Sequence, residues 1–83
     1  MKPIRFSPHA EKNLVAREIS RAEAAATVRQ PNHREPSRAP REVVSRGYSD
    51  TVTGETMLLR AIIEETEDEI LVITLYKTSK LKK

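Results

Sequence analysis

The sequence predicts an α+β domain: a short N-terminal strand, a two-helix hairpin, then a three-stranded antiparallel meander, with both helices packed on one sheet face. Three observations carry this. Ser7-Pro8 and Ser20-Arg21-Ala22-Glu23 are helix-start signals spaced for two short helices. Residues 31–40 hold proline, arginine and polar residues with no hydrophobic period. Three runs rich in Val, Ile, Leu and Thr follow, at 42–48, 56–64 and 69–76. A helix pair must bury its apolar stripe and a meander offers one apolar face, so the two are expected to form layers. With 83 residues and no cysteine, the chain is expected to be one domain, 1–83, held by packing alone.

Taken in order, Ile4-Arg5-Phe6 alternates apolar, basic and apolar, as a short strand would. Ser7 can cap free amides, and Pro8 costs nothing at a first helical position, where its missing N–H has no partner to lose. The first helix is therefore predicted from Pro8 to about Arg17, with Ala10 and Leu14 inward and Glu11, Lys12 and Glu18 outward. Ser20 and Glu23 form a capping box that opens the second helix, and Pro31 ends it. Ala22, Ala25, Ala26 and Val28 are small enough to let the two helices pack closely. Residues 31–40 are expected to be a mobile basic, proline-rich loop, and 81–83 a flexible lysine tail. Thr53-Gly54 and residues 65–68 are short connections suited to antiparallel hairpins. In the last strand, alternation puts Leu71, Ile73 and Leu75 on the helix-covered side and Val72, Thr74, Tyr76 and Thr78 on the other. Residues 56–63 are apolar on both faces apart from Arg60, as in a middle strand.

The net charge is +3, unevenly spread: residues 1–50 hold ten Lys/Arg against six Asp/Glu, and 51–83 hold five against six. One positive block runs through Arg29, Arg34, Arg38, Arg41 and Arg46; the other is Lys77, Lys80, Lys82 and Lys83. Such blocks attract polyanions through counterion release, so Arg29, Arg34, Arg38, Arg41, Lys77 and Lys80 are candidate RNA or phosphate contacts. A solvated face with a frayed tail accounts for the same pattern. The lack of cysteine fits a reducing compartment, and a cytoplasmic location is expected. No apolar run approaches the roughly 20 residues that span a bilayer, and no secretory leader is visible, so membrane and export roles are not expected.

The segment from Phe6-Ser7-Pro8-His9-Ala10-Glu11 through Arg17 and Ser20 to Glu23, with the strand Ile70 to Lys80, resembles an uncharacterised bacterial and phage family, domain of unknown function 4258. That family is similar to RelE and BrnT toxins, which share a fold with other metal-independent ribonucleases. The resemblance covers roughly residues 4–80 and implies a RelE-like fold, RNA as substrate, and an acidic antitoxin-like partner. Two positions depart from the family pattern: it usually has arginine where this chain has Asn13, and glycine where it has Glu18. Glycine there would close the first helix in a left-handed conformation, so Glu18 either lengthens the helix or carries local strain. Loss of a basic group at Asn13 weakens any phosphate site on that face.

Ribonucleases of this kind let the RNA 2′-hydroxyl attack its own phosphate, so the protein must move protons and stabilise phosphate charge. His9, in a helix first turn, is the candidate base; a histidine packed between helix and first strand is the plain structural alternative. His33 falls in the expected loop, without a framework around it. Arg46 and Arg60 lie in strands, where a rigid backbone can aim a guanidinium at a phosphate. Arg60 otherwise answers an acidic partner such as Glu42, and Arg46 otherwise marks a solvated face. Tyr76 and Thr78 can hydrogen-bond a phosphate and Lys77 or Lys80 can steady it, or these are simply a polar strand end. The catalytic set is thus His9, Arg46, Arg60, Tyr76 and Thr78. No metal or cofactor is expected: two histidines lack ligand spacing, two glycines make no phosphate loop, and three aromatics are few for base stacking. The reading is a toxin-like endoribonuclease or a degenerate member of that lineage. The alternatives are a non-catalytic RNA- or protein-binding module, and a homodimer through a sheet edge.

Overall fold

A computed structural model describes residues 2–49, 54 and 56–79. In chain order the elements are β1 (Ile4–Phe6), α1 (Pro8–Ala16), α2 (Arg21–Arg29), β2 (His33–Pro36), β3 (Arg41–Ser49), β4 (Thr56–Glu65) and β5 (Ile70–Ser79). The strands form one mixed sheet, ordered β1-β5-β4-β3-β2. β1 runs parallel to β5, and the other three pairings are antiparallel.

This corrects the expected architecture. The sheet has five strands rather than a short strand plus a three-stranded meander, because β2 occupies part of the segment read as a loop. Its four residues are all exposed, so it carries no hydrophobic period to detect. Backbone pairing with β3 holds it, from His33 opposite Ser45 to Pro36 opposite Glu42. Asn32 extends the ladder at both ends of its own residue: its N–H donates to the Ser45 carbonyl at 2.8 Å, and its Oδ1 accepts from the Gly47 N–H at 2.9 Å. Pro36 stands on the sheet edge, where a missing N–H removes no ladder bond.

Each helix starts as its sequence dictates. The Ser7 Oγ accepts from the Ala10 N–H at 3.0 Å, with Pro8 in the first turn. The Ser20 Oγ accepts from the Ala22 and Glu23 N–H groups at 3.1 and 3.2 Å. α1 ends in a Schellman arrangement: Ile19 N–H donates to the Leu14 carbonyl and Glu18 N–H to the Val15 carbonyl. Leu14 and Ile19, the apolar pair that accompanies this motif, are both buried. Glu18 is the left-handed residue, with φ +53°, so it carries the strain that a glycine would avoid.

The helices do not pack tightly on each other as a hairpin. α1 lies on β5 and β1, and α2 on β4 and β3. The buried stripe of α2 is Ala24, Thr27 and Val28, whereas Ala22 is exposed; the small residues bring α2 close to the sheet rather than to α1. Thr27 tolerates burial because its hydroxyl donates to the Glu23 carbonyl at 2.9 Å. The helix-to-helix link is an exposed ion pair, Arg21 to Glu11 at 2.7 Å.

The core lies between helices and sheet: Ala10, Leu14, Ile19, Ala24 and Val28 above, Val44, Leu59, Ala61, Ile63, Val72 and Leu75 below. Val72 and Leu75 are three apart, which strict alternation forbids. The β4–β5 register skips a residue, with Ile62 opposite Thr74 but Ile63 opposite Val72, so Ile73 is a bulge that flips the phase of β5. The expectation that Leu71, Ile73 and Leu75 share the covered side is corrected accordingly: Val72 replaces Leu71 and Ile73. Ser7 exploits the irregular strand, its hydroxyl donating to the Ile73 carbonyl at 2.7 Å.

Candidate functional site on the helix-free sheet face

With Leu59, Ala61 and Ile63 turned to the helices, the intervening residues of β4 turn the other way. Among the described residues no helix covers that second face. Cross-strand partners share a face, so the register writes its contents directly. His33, Ser45, Arg60 and Tyr76 form one row across β2, β3, β4 and β5. Glu35, Val43, Ile62 and Thr74 form the next. Thr78, opposite Leu58, lies on the same face on the other side of the Arg60 row.

Arg60 is the centre of this surface. Its Nη2 donates to Glu35 Oε2 at 3.4 Å, a long contact, and its guanidinium carbon lies 6.0 Å from the Tyr76 ring centroid. Its Nε is buried without a hydrogen-bond partner, although the side chain as a whole is 32% exposed. A buried arginine donor left without a partner costs about 1–3 kcal/mol or more, so Nε is poorly arranged for stability, while the exposed part of the guanidinium is what an anion can reach. A planar guanidinium on a rigid central strand, beside a phenol, offers directed donors to a tetrahedral phosphate.

The other predicted residues are distributed differently. Arg46 and Lys77 both lie opposite Leu59, on the helix-covered side. Arg46 Nη1 donates to the Gln30 carbonyl at 2.8 Å and so closes the end of α2. His9 is exposed in the first turn of α1 and makes no side-chain hydrogen bond among the described residues. One turn later on the same helical stripe, Asn13 Nδ2 donates to Thr74 Oγ1 at 3.0 Å and to the Leu75 carbonyl at 2.8 Å. Asn13 therefore caps the β5 edge where β1 has ended, a role that a shorter amide serves and that explains its presence there.

Local carboxylates meet two of the five arginines in the basic block. Arg34 pairs with Glu42 at 3.3 Å and Arg41 with Glu64 at 3.7 Å. Arg29 Nη1 donates to the Lys2 carbonyl at 3.1 Å. Arg38 is exposed in the turn between β2 and β3, where its carbonyl accepts from the Arg41 N–H. Lys80 and the tail at 81–83 lie outside the described residues. A separate surface pocket near the β4–β5 turn, lined by Lys2, Glu42, Glu65 and Glu67 among others, is already internally paired through Lys2 and Glu65 at 2.8 Å.

Glu35 was not visible as a site residue in the sequence, and His33 lacked a framework, because both depend on recognising β2. Their spacing, two residues apart on a strand, was the one available signal. Among the described residues no cluster of three or more His, Cys, Asp or Glu side chains is disposed to hold a metal ion, and no helix is long and apolar enough to cross a membrane. No family model, curated protein or solved structure matches the chain.

Proposed function

We propose that this protein is a small endoribonuclease that seats the scissile phosphate of RNA on the helix-free sheet face, against Arg60, Tyr76 and Thr78. The observation that carries the reading is Arg60 itself, a guanidinium on the central strand with one long contact to a carboxylate and a buried donor left unpartnered. The resemblance of the Phe6 to Glu23 segment and the last strand to a family similar to RelE and BrnT toxins supports the same chemistry. The 2′-hydroxyl attacks phosphorus, the phosphate gains charge, and Arg60 stabilises that charge in a site where Tyr76 and Thr78 offer further donors.

Incubation of the purified chain with RNA, with and without a chelator, tests this. The expected products carry 2′,3′-cyclic phosphate and 5′-hydroxyl ends. Arg60→Ala should slow cleavage about 10²-fold or more, the typical cost of losing one charge-stabilising group. Arg46→Ala, on the other face, should cleave at nearly the wild-type rate. Wild type that binds RNA in a salt-sensitive way without cutting it would replace the enzyme reading with that of a binding module.

A further inference from the structure

β2 brings two ionisable side chains to the Arg60 face. His33 lies opposite Ser45 and Glu35 opposite Val43, while Arg34 between them turns to the other side and meets Glu42. All of β2 is exposed, so no packing requirement dictates these two side chains. Glu35 touches the Arg60 guanidinium at 3.4 Å, and His33 lies in the same row two strands from Arg60, with Ser45 of β3 between them. Residues two apart on a strand sit about 7 Å from each other, a separation that lets one flank each side of a bound phosphate.

Transphosphorylation needs a base for the 2′-hydroxyl, a cation for the phosphate and an acid for the leaving oxygen. Arg60 supplies the cation. We infer that Glu35 is the general base and His33 the general acid, acting from β2 on a phosphate held at Arg60; this rests on the ribonuclease reading above. The Glu35 carboxylate takes the proton of the 2′-hydroxyl as that oxygen bonds to phosphorus. The bond from phosphorus to O5′ breaks with its electron pair on O5′, and the His33 imidazolium supplies the proton O5′ then takes. The products are a 2′,3′-cyclic phosphate and a 5′-hydroxyl, with Glu35 protonated and His33 neutral until water restores both. Glu35 is faced by Arg60 from β4 and diagonally by Arg41 of β3, itself paired with Glu64; His33 is faced by Ser45 of β3.

The test is single-turnover cleavage of a short RNA across pH by wild type, Glu35→Gln, His33→Gln and Arg60→Ala, with melting curves and binding of a 2′-O-methyl RNA as controls. Glu35→Gln should lose about 10²-fold or more and the acidic limb of the pH profile; His33→Gln should lose a similar factor and the alkaline limb. Both should melt like wild type and bind the blocked RNA within about 2-fold of it, since neither side chain supplies the anion contact. If both variants cut at the wild-type rate while Arg60→Ala does not, the assignment is overturned and the ribonuclease reading survives. A Glu35→Gln enzyme that loses binding but keeps both limbs would make Glu35 a positioning residue for Arg60, which also overturns it. Failure of wild type to cut overturns the parent reading and this one together.

Discussion

Leu59 and Arg60 are neighbours in sequence and opposites in fate. The first lies at 1% exposure under the helices; the second stands on the bare face with a donor unpartnered. The same division runs across the sheet. On the covered side Val44, Leu59, Ala61, Ile63, Val72 and Leu75 form a continuous apolar floor, and on the other side Arg60, Tyr76, Thr78 and a buried Ser45 stand among the half-buried Val43, Leu58 and Ile62. A sheet covered on one side can thus assign stability to alternate residues and leave the rest for chemistry. On the proposed reading, stability and function are separated by a one-residue step.

The largest expected effect breaks the covered side. Leu59→Ala removes a fully buried side chain from the central strand and should cost about 2–5 kcal/mol, read as a drop in the urea midpoint. Against a total of about 5–15 kcal/mol for a typical domain, that threatens the fold itself. Arg60→Ala should do the reverse: cleavage falls about 10²-fold, or about 2.7 kcal/mol of transition-state stabilisation, while the urea midpoint stays put or rises because a buried unpartnered donor is gone. A large loss of stability in Arg60→Ala would make that arginine a structural element.

A smaller effect lies at the end of α1. Glu18→Gly relieves a left-handed non-glycine residue and should stabilise by about 0.5–1 kcal/mol once the extra flexibility of the unfolded chain is subtracted. The melting temperature should rise by about 2–8 °C with cleavage unchanged. A fall would mean that the Glu18 side chain contributes more than its backbone costs.

The smallest effect is electrostatic. Hydrogen bonds from Arg21, Lys2 and Arg5 hold the Glu11, Glu65 and Glu69 carboxyls below their ordinary value of 4.5. A carboxyl lowered in the folded state contributes stability that is complete above its unfolded value and disappears as pH falls through the folded one. Melting temperature should therefore be level from neutrality to about pH 5 and decline slightly below, with the decline reduced by salt. These pairs are exposed, so the change is small. A decline that begins near neutrality would point to a histidine instead.

Local chemistry was legible in the sequence wherever a side chain acts on its own backbone. Ser7-Pro8 and Ser20 fixed both helix starts, and the short connection at 65–68 implied the β4–β5 hairpin. What escaped was structure made by backbone alone. β2 buries nothing, so its ladder with β3 left no trace in the residue pattern, and with it went the placement of His33 and Glu35. The bulge at Ile73 was hidden because residues 70–73 are all apolar, and a phase flip inside such a run changes no residue type. Arg60 was conspicuous as a lone charge in an apolar strand, whereas the face it occupies followed only from the register of its neighbours. Arg46 looked equivalent to it and proved to close a helix end.

The most direct test is to titrate isotopically labelled protein with a short 2′-O-methyl RNA, which cannot react, and follow backbone amide and arginine Nε–H resonances. The largest shifts should fall on Ser45, Arg60, Tyr76 and Thr78, with the Arg60 Nε–H among them, and should shrink as salt is raised. Shifts concentrated on Arg46, Lys77 and the two helices, with the Arg60 Nε–H unmoved, would place RNA on the covered side and contradict the division between the faces.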